Sequence, residues 1–454
     1  MTKSIKNDQL QITNEDNRNC KFVIRNCNMK PSGIDWLGNV PEEWDVLPIW
    51  MLFYMGRGRV ISKEEILDNP GEYPVYSSQT ENNGNLGGLA TYDFEGDYIT
   101  WTTDGANAGT VFNRSGKFNC TNVCGTLKPK KLKDIDLRFF THALNVCTKI
   151  FVRYDINPKL MNNVLAGINV QVPPIKDQEN ICNFLDRETA RIDEVVAKKQ
   201  KLMELFKEKR QALITHAVTK GLDPKAKMKP SGIDWLGNIP EGWEVKRFGF
   251  LFSFNKGLSI TKENLQDEGI PCVNYGEIHS KYGFEVNPLE DDLKCVSKDY
   301  LKDNQGSILN FGDFIFADTS EDIKGSGNFT YLNSREVTFA GYHTIIAKLH
   351  IQMNFRFLAY LFDSVNYRTQ IRSMVAGIKV YSITKEILKN TFVLLPSFLE
   401  QKSIVAFLDR ETVKIDEMMK KVEIQIEKLH EYRQVLITSA VTGKIKVEPT
   451  FSMV

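Results

Sequence analysis

One stretch of this sequence occurs twice. Residues 184–221 read FLDRETARIDEVVAKKQKLMELFKEKRQALITHAVTKG, and residues 407–444 read FLDRETVKIDEMMKKVEIQIEKLHEYRQVLITSAVTGK. Phe184 falls on Phe407, Asp186 on Asp409 and Arg210 on Arg433, at a constant offset of 407 − 184 = 223. Spaced at three and four, the first copy sets Leu185, Thr189, Ile192, Val196, Lys199, Met203, Phe206, Arg210, Leu213 and Ala217 on one stripe. The second sets Leu408, Thr412, Ile415, Met419, Val422, Ile426, Leu429, Arg433, Leu436 and Ala440 at the matching places. An apolar seam sustained over about five heptads, with charges on the other faces, predicts long helices that pair. About 35 residues at ~1.5 Å each make a rod on the order of 50 Å, more than one small domain can bury.

A second element repeats upstream. MKPSGIDWLGNVPEEW at 29–44 returns as MKPSGIDWLGNIPEGW at 228–243, an offset of 228 − 29 = 199. The chain is therefore a tandem duplication of box, variable domain and helix. Pro31, Ser32 and Gly33, with Pro230, Ser231 and Gly232, are turn residues, while Trp36, Trp44, Trp235 and Trp243 are large apolar anchors expected to lock each domain start against a helix end. The predicted division is a polar arm at 1–28, a first domain at 29–180, a helix at 181–222, a second domain at 223–403, a helix at 404–444 and a tail at 445–454.

Both variable domains mix short β-rich runs with helical stretches and read as α/β or α+β folds. Gly96, Asp97, Tyr98 and Thr103 fall weakly on Gly312, Asp313, Phe314 and Thr319, at 312 − 96 = 216, while Pro173 and Gln178 fall on Pro396 and Gln401 at the helix offset. If the two helices pair with each other antiparallel, the molecule is a pseudo-two-fold pair of heads held apart by a rod.

With 454 residues and a net charge of +1, the chain suits a protein of two or three domains. No apolar run approaches the ~20 residues of a membrane span, and the N-terminus is too polar for a signal peptide. A cytoplasmic protein without a membrane partner is expected. The eight cysteines form no CxxC pair and read as reduced thiols, with Cys120 and Cys124 the nearest approach to a metal site; no metal is expected.

Catalytic signatures are missing. There is no GxxxxGK[ST], GxGxxG, HExxH or GxSxG, and Val172-Pro173-Pro174-Ile175 lacks the polar first residue of the tetrapeptide with which amino-methyltransferases hold a target amine. Recognition remains. Two unlike heads on a pseudo-two-fold rod suit two DNA half-sites on one face of a duplex, where a helical turn is about 34–36 Å. Such a target is split and asymmetric.

The duplicated PSGIDWLGNxPExW box, the closing Pro then (Asp/Glu)-Gln, and FLDRETxxID followed by the shared LITxAVT resemble the specificity subunit of type I restriction-modification systems. The resemblance implies two target recognition domains, each reading one half of a bipartite DNA sequence, and helices that set the spacer. It implies no catalysis in this chain and partners in double-stranded DNA, two methyltransferase subunits and restriction subunits. S-adenosylmethionine, ATP and Mg2+ would sit on those partners, which methylate adenine at N6 and cleave DNA. Two other readings stay open: a bipartite DNA-binding regulator without enzyme partners, and a coiled-coil scaffold that never touches DNA.

Bases are read by Asn or Gln on adenine and Arg or Lys on guanine, whereas phosphate contacts position the protein. In the first domain the polar loops offer Gln79, Asn82, Asn83, Asn85, Thr103, Asn107, Arg114 and Lys117; in the second, Thr319, Ser320, Lys324, Ser326, Asn328, Arg335 and His343 occupy the corresponding region. For any one of them an ordinary solvated turn competes with this reading. Arg57 and Arg59 in GRGR, and Lys256 in NKG, suit phosphates because glycine lets backbone approach, and serve equally as exposed turn cations. On the helices, Arg210, Arg433 and Lys199 break the seam and point to a specific register. Val195, Leu202, Leu205, Met418, Ile424 and Ile437 lie off the seam and are expected to offer surface to a partner.

Overall fold

A computed structural model describes residues 28–154, 157–233, 236–377 and 380–447. Residues 1–27 of the polar arm, Trp235 and residues 448–454 of the tail lie outside these. Two compact units emerge. One takes the chain up to Lys198 together with the segment from Gln425 onward, and the other is Lys199–Ile424. The cuts fall inside the two long helices, so each unit owns the beginning of one helix and the end of the other.

Those helices span Ile175–Lys220 and Phe398–Val441. They begin six residues ahead of the expected 181 and 404, directly behind Pro173-Pro174 and Pro396-Ser397, where proline's missing N–H marks a helix entry. The predicted stripe is the shielded one. In the first unit Leu185, Ile192, Val196, Leu436 and Ala440 are buried, with Ile426 and Leu429 packed against the same core. In the second, Ala217 and Leu408 join the core, Thr412, Ile415 and Val422 are buried, and Met203, Phe206, Leu213 and Met419 are half-buried. Both seam arginines find carboxylates on the facing helix segment. Arg433 Nε lies 3.0 Å from Asp193 Oδ1 in the first unit, and Arg210 Nε lies 3.1 Å from Asp416 Oδ1 in the second. The pairs are equivalent, since 433 − 210 = 223 and 416 − 193 = 223. Exposed as they are, each adds at most about 1 kcal/mol; their role is to specify register. Off the seam, Leu202, Leu205, Met418 and Ile424 are exposed as expected. Ile437 is not. It is buried in the first unit's core at 7% exposure, and Val195 is half-buried, because near a helix end the domain covers a wider stripe than the heptad alone.

In each unit the box is a hairpin, Met29–Pro31 on Asn39–Pro41 and Met228–Pro230 on Asn238–Pro240. Gly33 and Gly38 have φ of 73° and 67°, and Gly232 and Gly237 have 79° and 63°, so the turn demands glycine. Ser32 Oγ accepts from Ile34 N at 3.1 Å, as Ser231 Oγ does from Ile233 N at 3.1 Å. Trp44 and Trp243 are buried against helix ends, as expected from the sequence. Gly221, ending the first long helix, faces the Trp243 ring; Gly443, just past the second, faces Trp44 and Pro41.

Each domain is clasped by a strand pair joining its start to its end, Asp45–Pro48 on Asn169–Val172 and Glu244–Arg247 on Phe392–Leu395. Inside the clasp of the first lies an antiparallel sheet ordered Phe53–Arg57, Cys124–Pro129, Tyr98–Thr102, Val111–Arg114. The second has Phe252–Lys256, Thr344–Leu349, Phe314–Ala317 and Phe329–Leu332 in the same order, with Phe284–Val286 added in parallel. The weak register of the sequence thus holds, Tyr98 and Phe314 opening equivalent strands. A smaller sheet accompanies each, Asn85–Leu89, Pro70–Tyr76, Lys117–Cys120 and Phe94–Glu95 in the first unit.

The shared Gln and FLDRET motifs tie domain to helix. Gln178 Oε1 accepts from Asp136 N at 2.8 Å and Gln401 Oε1 from Asn354 N at 2.8 Å, and Asp136 and Asn354 are the N-caps of the helices Leu137–Cys147 and Phe355–Asp363. Two residues on, Arg138 Nη1 meets Asp186 at 2.9 Å and Arg356 Nε meets Asp409 at 2.7 Å. The aspartate of FLDRET is a docking point for the domain's own helix.

Candidate nucleic-acid interface

At one end of each main sheet a cation closes a strand and a glycine follows it. Arg57 ends Phe53–Arg57 and its Nε donates to Asn122 O at 2.6 Å, leaving its terminal nitrogens without a partner among the described residues. Lys256 ends Phe252–Lys256 and is exposed. An ideal Cβ on Gly58 would sit 2.2 Å from Cys120 O and 2.3 Å from Thr121 O; one on Gly257 would sit 2.0 Å from Gly341 O. Backbone is pressed against backbone there, directly beside each cation. Gly58→Ala and Gly257→Ala therefore each lower stability by about 1–3 kcal/mol through overpacking, a loss that urea unfolding measures. Arg59 is different. Hydrogen bonds to Glu65 at 2.6 Å and Asp93 at 2.9 Å neutralise it, and the Glu65 contact, ahead of the Asp93 charge, holds its pKa above the ordinary value despite partial burial.

The neighbouring turn of the first unit keeps Asn82 and Asn83 exposed in left-handed backbone, φ 47° and 56°, a conformation asparagine tolerates. Gln79 Nε2 donates to Asn85 O at 2.6 Å and Asn107 Nδ2 to Ser78 O at 3.1 Å, so these two brace the turn with their amides. Asn85 Oδ1 accepts from Gly87 N at 2.9 Å. Lys117 is partly exposed, 4.4 Å from the Tyr92 ring centroid. Two candidates are corrected by burial. Thr103 is fully buried and Arg114 is 3% exposed, its guanidinium 3.6 Å from the Tyr76 ring centroid and 4.5 Å from that of Phe112. Neither reaches a base as the domain stands. Arg114 Nε donates to Thr100 Oγ1 at 3.2 Å, Nη1 has no acceptor among the described residues, and burial pushes its pKa down. Thr102, Thr103, Asn119 and Thr121 also carry shielded oxygens with no hydrogen-bond partner among the described residues.

In the second unit a cavity of about 700 Å³ is lined by Tyr275, His279, Thr319, Ser320, Lys324 and Asn328 among others. Four of these are sequence candidates brought together. Their roles divide. Asn328 Oδ1 accepts from Arg368 at 2.5 Å while its amide meets His279 Nδ1 at 2.8 Å, so it is spent inside the wall. Thr319 Oγ1 donates to Asp318 at 2.8 Å, and Ser320, 4% exposed, donates to Asp322 O at 2.7 Å. Ser326 is fully buried, its hydroxyl without a partner among the described residues. Lys324 is exposed at the rim; Arg335 is exposed on a separate loop and does not line the cavity. His343 adopts φ 54° with Nδ1 3.1 Å from Asp318 Oδ1, and its ring lies 5.2 Å from that of Tyr275. Sequence reading missed Tyr275 and His279. Their signal is the Asn274 to Glu277 capping box, which fixes the short helix Tyr275–Ser280 carrying both.

The family described as Type I restriction modification DNA specificity domain matches residues 41–204 and 240–428. A Mycoplasma pneumoniae protein named as a type I specificity subunit N-terminus, S.MpnORF289P, is 51% identical over 131 residues, 29% of this chain and 70% of that one. The MpnII specificity subunit of the same organism is 47% identical over 130 residues, 28% of this chain but 39% of that one, so the match spans well under half of that relative. The MjaVIII specificity subunit of Methanocaldococcus jannaschii is 23% identical over 422 residues, 90% of this chain and 94% of that one. Among solved structures, a chain from work on complex assembly and conformational transition of the type I R-M system superposes with a TM-score of 0.67 at 14% identity, over 89% of this chain and 99% of that one. The HsdS subunit from Thermoanaerobacter tengcongensis gives 0.50 at 14% identity over 89% and 98%. With the family matched twice over most of its length, the chain belongs to the type I restriction-modification DNA specificity family.

Proposed function

We propose that this chain reads a split, asymmetric DNA target, one half with each variable domain, and directs methyltransferase and restriction subunits to it. The observation that carries the reading is that equivalent main sheets, each with a strand ending in a cation followed by a packed glycine, belong to units whose other surfaces differ: an asparagine-rich turn between Pro70–Tyr76 and Asn85–Leu89 in the first, and the cavity of Tyr275, His279 and Lys324 in the second. Unlike surfaces on like scaffolds read unlike half-sites. Arg57, Lys256 and Lys324 suit phosphates, while Asn82 and Asn83 suit base edges. The chain itself lacks catalytic signatures, so adenine methylation and ATP-dependent cleavage, with S-adenosylmethionine, ATP and Mg2+, fall to the partners. Leu202, Leu205, Met418 and Ile424, between 38% and 47% exposed, suit docking of those partners.

Titrating purified complex with genomic duplexes at several salt concentrations tests this. Expected is binding that weakens steeply with salt, as counterion release requires, with a subset of duplexes preferred. Salt-independent or absent binding would leave the scaffold reading; preference shown by the chain with no enzyme partner in its operon would favour the regulator.

A further inference from the structure

The sequence of the first unit holds KPKKLK, with Lys128, Lys130, Lys131 and Lys133 inside six residues. All four are exposed, and among the described residues none is ion-paired with a carboxylate. They lie at the far end of the strand Cys124–Pro129, away from the Arg57 and Asn122 turn. Beside them Trp50 and Tyr54 stand 54% and 64% exposed. Lys130 is fastened there, its Nζ donating to Trp50 O at 2.8 Å and lying 5.8 Å and 5.3 Å from the Trp50 and Tyr54 ring centroids. Of the nearby acids, Asp136 is taken by Arg138 at 2.7 Å, and Asp134, next to Lys133, is the one exposed carboxylate within the 128–136 segment. The equivalent connection in the second unit reads His350, Ile351, Gln352, Met353 and carries no lysine, while Lys348 on its strand is paired with Asp313 at 3.3 Å.

We infer that Lys128, Lys131 and Lys133, braced by the Lys130, Trp50 and Tyr54 cluster, form a phosphate clamp that grips duplex backbone outside the bases read by the first domain, with no counterpart in the second. The inference rests on the proposed DNA-reading function. Lysines are depleted at protein–protein interfaces and, as flexible point charges, suit phosphates. A six-residue strand spans ~17–20 Å, so the clamp and the Asn122 turn sit at opposite ends of Cys124–Pro129. Grip on the DNA is therefore lopsided, stronger on the first domain's side.

The test uses the whole complex with its partner subunits, a duplex carrying its methylation motif and a scrambled duplex, titrated between low and physiological salt. In the triple variant Lys128→Gln, Lys131→Gln, Lys133→Gln, the slope of log affinity against log salt shrinks by about 2–3, at ~0.9 per phosphate neutralised, and both duplexes weaken alike. The Lys→Arg triple keeps the parent slope. An unchanged slope in the glutamine variant overturns the clamp, as does loss of motif preference with the slope intact. Dissociation of the partner subunits with the slope unchanged would assign the patch to an acidic protein surface and overturn it equally. If the unmodified complex prefers no duplex, the DNA-reading function fails and the clamp falls with it.

Discussion

Replacing Trp243 by alanine lowers the unfolding free energy of the second unit by about 3–5 kcal/mol, the range for emptying a large aromatic site in a core. Trp243 is 1% exposed, lies against Gly221 at the end of the first long helix, and donates from Nε1 to Glu400 Oε1 at 3.2 Å near the start of the second. One side chain thus joins the box to both helix ends of its unit. Urea unfolding followed by tryptophan and far-ultraviolet signals measures the loss. Glu400→Gln, which keeps an acceptor, costs no more than the ~1 kcal/mol of a typical hydrogen bond. A deficit under 1 kcal/mol for Trp243→Ala would mean that the box is not the anchor described.

Leu408→Asp is expected to cost the second unit at least the ~2–5 kcal/mol of a leucine-to-alanine change, with the burial of a carboxylate added to it. Leu408 is fully buried in the second unit's core and heads the apolar seam of the second long helix. Its equivalent Leu185 is fully buried in the first unit, so Leu185→Asp has the same effect there. Val413→Asp, on the same helix at 55% exposure, serves as the control and changes stability by no more than about 0.5 kcal/mol. If Leu408→Asp and Val413→Asp melt alike in calorimetry, the seam does not carry the fold.

Much of the architecture was legible because it is written in repeats. Offsets of 223 and 199 located both helices and both boxes, and period-seven spacing picked out the stripe from Leu185 to Ala217 that the structure shields. Glycines with positive φ at Gly33 and Gly232 and the buried Trp44 and Trp243 followed from turn chemistry and size. The sites were legible only in part. Arg114 and Thr103 carry the right chemistry for DNA, but Arg114 ends a four-residue strand too short to declare its buried face in sequence, and Thr103, just past the strand Tyr98–Thr102, is held inward with its N–H on Val123 O. Asn328 lines the cavity, yet Arg368 and His279, 40 and 49 residues away in sequence, claim its amide. Ile437 has the spacing of a free flank and is covered by the domain beside it. In each case a contact distant in sequence decided the outcome, and local pattern holds no record of it.

The central claim is that two unlike domains read two unlike half-sites. Mapping methylated adenines across the host genome tests it most directly, first with the native chain and then with the second variable domain exchanged for that of another specificity subunit. A split motif with unlike halves and a fixed gap is predicted, and the exchange changes the half read by the second domain while the other half and the gap persist. A motif that changes in both halves, or no motif at all, would contradict the account.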